Sequence, residues 1–151
     1  MKLVIGKKAP KIDALDLNAK PFKIEDYKGK KLIVFFYPKD NTPTCTIEVQ
    51  NFRDNYKTLK KEGFEVIGIS ADSIASHKKF IDKYSLPFIL LSDESKETLT
   101  KYGVWAEKTL FGKTYMGILR RTFIIDENGN LEHIIEKVIS KNASDQIKGL
   151  Y

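Results

Sequence analysis

The sequence predicts an α/β domain in which helices flank a mixed central sheet, and three observations support this fold class. Residues 32–37 (LIVFFY) form a continuous apolar run with β-branched and aromatic side chains, as expected of a strand buried on both faces. A helix-spaced apolar stripe follows this run directly. Near the end of the chain, Asn128 and Gly129 separate two strand-like segments, and Asn-Gly is a strong hairpin signal.

The first half of the chain predicts a βαβ unit. Residues 2–31 are charged and rich in turn formers, which indicates an irregular arm or small hairpin before the central strand at residues 32–37. The helix that follows has one apolar face, formed by Cys45, Val49, Phe52, Tyr56 and Leu59. Gly63 can end this helix, and residues 64–71 form the next apolar run. We expect this second strand to lie parallel to the first, because a helix is the usual crossover between parallel neighbours.

The second half of the chain predicts two more helices, a short strand and a hairpin. The second helix presents one apolar side, formed by Ile74, His77, Ile81 and Tyr84. A short strand is expected near residues 88–91, and a third helix ends at Gly103. Residues 118–126 and 131–139 are predicted to pair as antiparallel strands across the turn at 127–130, and a short helix follows them.

Length and composition limit the kind of protein that this sequence can encode. A chain of 151 residues suits one domain, spanning residues 1–151, and its 42% hydrophobic and 30% charged residues are close to globular averages. No stretch approaches the roughly 18 to 20 apolar residues that cross a bilayer, and the first twenty residues lack a signal-peptide core. We therefore expect a soluble, cytoplasmic protein that does not act at a membrane.

Charge and cysteine content exclude further function classes. The formal net charge is +6, but the basic residues are scattered and almost all are lysines, unlike the arginine and aromatic clusters of nucleic-acid readers. We expect no nucleic-acid partner. Cys45 is the single cysteine, and His77 and His133 are the two histidines, so the chain has no intramolecular disulfide or cysteine-rich zinc site. No metal or other cofactor is expected.

The segment that joins the central strand to the first helix is the candidate site, because ligands of open α/β sheets bind at the carboxyl ends of strands. Thr42 is a suitable N-cap, and Pro43 suits the first helical position. Cys45 then lies in the first turn, where free backbone N–H groups and the helix dipole favour a thiolate. This arrangement suits a nucleophile, although position alone fits a buried structural cysteine equally well.

A cation is also expected near the sulfur, because a helix terminus stabilises a negative charge by only about 0.3 to 1 kcal/mol. Arg120 and Arg121 are the candidates. Strand alternation over residues 118–126 points them to opposite faces, so one of them can face Cys45, and either can instead lie at the surface.

The other polar residues of this segment have simpler interpretations. The hydroxyl of Thr42 either caps the helix or binds a substrate. Glu48 and Arg53 are interpreted as solvated helix charges, and Lys39 and Asp40 as turn residues.

Pro38, Thr42 and Cys45 lie within the string FYPKDNTPTCT, and GFEVIGISADS, LPFILLSDES and KTYMGILRRTFIIDENG follow later in the chain. With these motifs the sequence resembles the peroxiredoxins, specifically the branch of bacterioferritin comigratory protein (peroxiredoxin Q). The resemblance implies a thioredoxin-like fold and reduction of hydrogen peroxide and organic hydroperoxides by an attacking cysteine. Thr42, Cys45 and Arg120 match the active-site positions, with Pro38 shielding the pocket. Arg120 matches better than Arg121 because it lies three residues before Phe123.

Two positions depart from the family pattern. Thr44 replaces a common glycine, and Gln50 lies where many members carry a resolving cysteine. The chain therefore resembles a one-cysteine variant, whose Cys45 sulfenic acid must be reduced by an external thiol such as thioredoxin. A monomer or weak homodimer is expected. Two alternatives stay open: a peroxide sensor, which uses the same site and passes oxidation to a partner protein, and a non-catalytic thioredoxin-fold binding module.

Overall fold

The computed structural model describes residues 3–151. The strands are β1 (Lys31–Phe36), β2 (Phe64–Ser70), β3 (Ile89–Ser92), β4 (Trp105–Leu110), β5 (Lys113–Ile118), β6 (Arg121–Ile125) and β7 (Leu131–Ile135). The helices are α1 (Pro43–Lys61), α2 (Ile74–Tyr84), α3 (Glu97–Lys101) and α4 (Ala143–Lys148), and 3₁₀ turns occur at Ile24–Tyr27 and Ser140–Asn142. The five-stranded sheet has the order β3-β2-β1-β6-β7, and β4 pairs with β5 in a separate two-stranded sheet.

The central strand and the βαβ unit are as predicted. β1 lies in the middle of the large sheet, parallel to β2 and antiparallel to β6. Its side chains alternate between two buried apolar cores, one of which receives Leu32, Val34 and Phe36 and the other Ile33, Phe35 and Tyr37. This alternation explains why the run is apolar at every position, since both faces of the strand are covered.

Helix α1 packs on the second of these cores. The rings of Phe35 and Phe52 lie 4.7 Å apart between their centroids, and Val49 is buried beside them. The helix ends before Gly63, whose φ of +91° is readily adopted by glycine. The predicted apolar stripe therefore faces the sheet and fixes the first turn of α1 at the carboxyl end of β1.

The N-terminal arm closes the first core. The residues described form single bridges from Lys8 to Asn130, from Leu15 to Pro21 and from Leu15 to Ser92. Ile12, Ala14 and Phe22 are buried against β1 and β6 in the first core. This agrees with an irregular arm; its first predicted residue, Lys2, lies outside the described residues.

The predicted strand at residues 118–126 is wrong in one respect, because it is two strands. β5 ends at Ile118 and β6 begins at Arg121, so Leu119 and Arg120 form a link between two sheets. The hairpin of β4 and β5 was not predicted. Residues 113–116 are exposed, so this strand is held by pairing with β4 and lacks the apolar run that marks a buried strand.

The remaining elements follow the prediction with shifts at their ends. β6 and β7 are antiparallel as expected, but β7 ends at Ile135 instead of continuing to residue 139. On α2, His77 and Phe80 are the buried residues, and the sequence pattern omitted Phe80. α3 ends before Gly103 as expected. Among the described residues, no helix combines the length and the apolar character that crossing a membrane requires.

Candidate active site

The first turn of α1 begins at the end of the turn at residues 38–42. Thr42 precedes the helix with an extended backbone, and Pro43 is the first helical residue, as predicted. The expected capping bond is absent, and the Thr42 hydroxyl donates a 2.8 Å hydrogen bond to the carbonyl oxygen of Lys39. The single hydroxyl hydrogen of Thr42 is therefore hydrogen-bonded within the turn, and any further hydrogen bond must be accepted by the hydroxyl oxygen.

Cys45 lies on the buried face of α1 and is 1% exposed. It packs in the second core with Val49 and Phe52, as the structural interpretation of this cysteine requires. Its sulfur also accepts a 3.1 Å hydrogen bond from Nη2 of Arg120. A buried apolar cysteine needs no such contact, so the geometry favours a sulfur that is held ready to carry negative charge.

Arg120 reaches the sulfur from the link between β5 and β6. The chain is fixed on both sides of it: the Leu119 N–H donates to the carbonyl of Val104 at 2.7 Å, and Arg121 pairs with Phe36 in the large sheet. The structure thus brings Arg120 to Cys45, although Arg120 lies outside a strand. Arg121, the other candidate, is half-buried at the first position of β6.

The structure contradicts the interpretation of Glu48 as a solvated helix charge. Its side chain is completely buried, and its Oε1 accepts a 2.7 Å hydrogen bond from Nη1 of Arg120. Its Oε2 is buried without a hydrogen-bond partner among the described residues. Burial raises the pKa of Glu48 to about 7, although Arg120 acts in the opposite direction. We call Cys45, Glu48 and Arg120 the sulfur cluster.

The Arg120 guanidinium contacts both a sulfur and a carboxylate. Burial opposes ionisation of the guanidinium, but the negative charge of Glu48 and the contact with Cys45 together raise the pKa of Arg120. Arginine has five N–H donors in a planar fork, and two of its nitrogens contact Glu48 and Cys45. The other N–H groups of Arg120 have no hydrogen-bond partner among the described residues.

A second buried polar group lies on the other side of the turn at residues 38–42. The Asp40 carboxylate accepts hydrogen bonds from the Tyr37 hydroxyl at 2.6 Å and the Ser76 hydroxyl at 2.8 Å. Nδ1 of His77 lies 2.7 Å from the same carboxylate, and its Nε2 lies 3.0 Å from the carbonyl oxygen of Leu91. We call Tyr37, Asp40, Ser76 and His77 the turn cluster.

The turn cluster shares Asp40 and His77 with the one group of potential metal ligands within residues 3–151. Ligand atoms of Asp40, Asp72 and His77 lie within 4.8 Å of one another. Those atoms already serve as hydrogen-bond partners: Asp72 Oδ2 accepts from the Ser70 hydroxyl at 2.6 Å and from the Asp40 backbone N–H at 2.9 Å. A cation would have to displace these bonds, so hydrogen bonding explains the arrangement without a metal.

The other predicted positions lie close in sequence to the sulfur. Pro38 is half-buried at the beginning of the turn, and its shielding role stays a prediction. Gln50 is half-buried on α1, five residues after Cys45. Arg53 also departs from its interpretation, because its Nη1 donates a 2.8 Å bond to the carbonyl of Tyr84 and links α1 to the end of α2.

Comparison with known proteins agrees with this geometry. The sequence model of the AhpC/TSA family matches residues 5–134. A putative peroxiredoxin Bcp of Coxiella burnetii is 46% identical over 138 residues, which cover 91% of either chain. Peroxiredoxin Bcp of Escherichia coli K12 is 40% identical over 145 residues, covering 96% of this chain and 93% of the relative.

Solved structures extend the likeness to the fold, which is the predicted thioredoxin-like fold. The bacterioferritin comigratory protein of Xanthomonas campestris superposes with a TM-score of 0.87 at 28% identity, over 97% of this chain and 96% of the other. Peroxidoxin BcpB of Mycobacterium tuberculosis gives a TM-score of 0.82 at 26% identity, over 96% and 94%. The chain therefore belongs to the AhpC/TSA family, within its Bcp branch of peroxiredoxins.

Proposed function

We propose that Cys45 is the residue through which this thiol peroxidase reduces peroxides. Its thiolate attacks the terminal oxygen of the hydroperoxide, the oxygen–oxygen bond breaks, and the departing oxygen takes a proton to leave as water or alcohol. The sulfur keeps the transferred hydroxyl group as a sulfenic acid. The observation that supports this assignment is the 3.1 Å contact between Arg120 Nη2 and the Cys45 sulfur in a first helical turn.

Arg120 is proposed to act on both reacting groups. Its positive charge favours the thiolate before reaction, and its free N–H donors can bind the peroxide oxygen on which negative charge develops. The Thr42 hydroxyl already donates a hydrogen bond to the Lys39 carbonyl oxygen, so its oxygen is left to accept a hydrogen bond from the O–H of the peroxide. Together they orient the peroxide, while Pro38 limits access of water to the sulfur.

The substrates are proposed to be hydrogen peroxide and organic hydroperoxides. The Xanthomonas campestris relative has been described for its alkyl peroxide reduction activity. In this proposal Arg120 and Thr42 both contact oxygen atoms of the peroxide, and neither contacts the organic group. We therefore expect activity with alkyl hydroperoxides as well as with hydrogen peroxide.

The reductant is proposed to come from outside the chain. Cys45 is the only cysteine, so no second thiol of the same chain can condense with the sulfenic acid. Thioredoxin is the proposed partner, acting on a single domain of residues 1–151 that is a monomer or weak homodimer in the cytoplasm. A lone redox cysteine also suits a peroxide sensor, which reacts once and then forms a mixed disulfide with a partner.

Peroxide consumption with thioredoxin and with dithiothreitol, measured side by side, tests these assignments. We expect many turnovers per protein with at least one donor, and none in Cys45→Ser. Consumption of one equivalent, followed by a mixed disulfide, would instead support the sensor. An unmodified thiol after stoichiometric peroxide, read by mass spectrometry, would contradict both and leave a non-catalytic binding module.

A further inference from the structure

We propose that His77 is a positioning residue for the peroxide reaction, because it holds the turn at residues 38–42 through Asp40. This inference rests on the proposed function of Cys45. The turn contains Pro38 and Thr42 and leads directly into α1. His77 comes from a different element, α2, and touches none of the three residues of the sulfur cluster in the hydrogen bonds described.

The hydrogen-bond partners of His77 determine what it can do. The ring is completely buried, and the carbonyl oxygen of Leu91 facing Nε2 at 3.0 Å can only accept a hydrogen bond. Nε2 must therefore carry a hydrogen. Nδ1 is 2.7 Å from Oδ2 of Asp40, so a second hydrogen lies between these two atoms. Through these two bonds the imidazole connects β3 to the turn.

Asp40 is held from several directions at once. Its carboxylate forms hydrogen bonds with the side chains of Tyr37, Ser76 and His77. Its backbone N–H donates a 2.9 Å hydrogen bond to Oδ2 of Asp72. Side chain and main chain of this one residue are thus tied to the end of β1, to α2 and to the loop after β2. A fully satisfied buried network of this kind fixes a single geometry.

The fixed geometry is transmitted to the site through one residue of the turn. Lys39 immediately precedes Asp40, and its carbonyl oxygen accepts the hydrogen bond that orients the Thr42 hydroxyl. A shift of Asp40 therefore moves the Lys39 carbonyl group, which orients the Thr42 hydroxyl. Misplacement of a reacting geometry by about 1 Å can slow a reaction by about a hundredfold.

The neighbouring residue Asn41 provides an internal contrast. It has a φ of +58° and is exposed, and its side-chain oxygen accepts from Nζ of Lys83 at 3.1 Å and from the Tyr84 hydroxyl at 3.3 Å. Both donors also belong to α2. Exposed contacts of this kind hold a chain weakly, so the buried bonds of Asp40 carry the restraint.

Two substitutions of His77 test its hydrogen bonds to Asp40 and to the Leu91 carbonyl one at a time. The amide nitrogen of asparagine can occupy the place of Nδ1, so His77→Asn keeps a donor to Asp40 and loses the bond to Leu91. The amide nitrogen of glutamine can occupy the place of Nε2, so His77→Gln keeps the bond to Leu91 and loses the donor to Asp40. Lys83→Gln, at the exposed contact on the same helix, is the matched control.

The measurements are the rate constant for sulfenic acid formation with hydrogen peroxide and the rate constant for alkylation of Cys45 by iodoacetamide. Alkylation reports the thiolate alone and does not use the geometry that orients a peroxide. For His77→Gln we expect the peroxide rate constant to fall by about ten- to a hundredfold and the alkylation rate constant to stay within about threefold. His77→Asn and Lys83→Gln should keep both rate constants within about threefold.

Several outcomes would overturn the inference. Equal peroxide rate constants in wild type and His77→Gln would do so, as would a parallel loss of peroxide and alkylation rates, which would show that the substitution acts on the thiolate and not on the orientation of the peroxide. If His77→Gln does not fold, Ser76→Ala removes the other donor to Asp40 Oδ2, and its peroxide rate constant must fall while alkylation is kept. If the Cys45 thiol of the wild-type protein does not react with peroxide, the proposed function itself is overturned.

Discussion

The sulfur cluster and the turn cluster lie on either side of the same turn, and both bury charged groups, but they differ in how completely those groups are bonded. In the turn cluster, the Asp40 carboxylate and both ring nitrogens of His77 have partners. In the sulfur cluster, Oε2 of Glu48 has none among the described residues. Buried groups without partners are costly, so they are expected where function requires them.

The difference separates two tasks. A saturated network has one geometry and resists change, which suits support of a loop. A cluster with an unbonded oxygen, a sulfur and free arginine donors can accept new bonds, which suits a place where charge moves during a reaction. The contrast implies that substitutions in the sulfur cluster alter chemistry and ionisation, whereas those in the turn cluster alter geometry.

The largest expected effect comes from removing the arginine of the sulfur cluster. Arg120→Ala deletes the donor to Cys45 and should lower the rate constant for reaction with peroxide by about 10²- to 10³-fold, the loss typical of one preorganised donor to a developing negative charge. Stopped-flow or quenched mass-spectrometric measurement of sulfenic acid formation gives the rate constant. The thiolate absorbance at neutral pH should fall as well.

Arg121→Ala is the matched control, because it removes the same side chain one residue further along. Arg121 lies in β6 and pairs with Phe36, outside the sulfur cluster, so its peroxide rate constant should stay within a few-fold of wild type. Equal losses in the two variants would remove the distinction between the arginines and, with it, the assignment of Arg120.

The central features of the site could be predicted because they depend on local sequence. The apolar run of β1, the helix spacing of α1 and Pro43 at its first position place Cys45 in a first turn without reference to distant residues. The family pattern selected Arg120, whereas the strand alternation that was expected to separate the two arginines does not apply, because Arg120 lies in the link between β5 and β6. The contact itself joins residues 75 positions apart, which only the folded sheet can bring together.

Glu48 was misinterpreted because helix carboxylates are almost always solvated. A signal was present, since residues 45, 48, 49 and 52 follow the spacing of one buried helix face. The turn cluster left a weaker signal. His77 was placed on the apolar side of α2, but its partner Asp40 lies 37 residues earlier in a turn whose sequence looks merely polar. Such pairs follow from tertiary packing and not from local pattern.

The ionisation of Glu48 should make the stability of the protein depend on pH. Burial raises the pKa of Glu48 from 4.5 to about 7, so the folded protein holds this proton more tightly than the unfolded chain does. The resulting stability is complete below about pH 4.5 and is lost as the pH rises through 7. The loss is about 3 kcal/mol in the free energy of unfolding.

Glu48→Gln removes this titration while an amide oxygen can still accept from Arg120. Urea unfolding of wild type and variant between pH 4 and pH 8 should give a difference in unfolding free energy that grows in favour of the variant as the pH rises. Glu97→Gln, an exposed carboxyl near the start of α3, is the control and should leave the pH dependence unchanged. Identical slopes for wild type and Glu48→Gln would show that Glu48 ionises normally.

The smallest expected effect concerns Thr42, the last residue of the turn at residues 38–42. Its hydroxyl is oriented by the Lys39 carbonyl next to Asp40, and it immediately precedes the helix that carries Cys45. Thr42→Ser keeps the hydroxyl, so its peroxide rate constant should stay within about threefold. Thr42→Val removes one hydrogen bond to the substrate and should slow the reaction about tenfold, which corresponds to about 1.4 kcal/mol.

The alkylation rate of Cys45 distinguishes substrate binding from stabilisation of the turn in these variants. A hydroxyl that only holds the turn would lower thermal stability in Thr42→Val and leave the peroxide and alkylation rates of the folded protein unchanged. A hydroxyl that accepts from the peroxide lowers the peroxide rate alone. Because the Thr42 hydroxyl already donates its hydrogen bond to the Lys39 carbonyl oxygen, an acceptor role is the one that this geometry leaves open. A Thr42→Val protein with full peroxide reactivity would contradict that role.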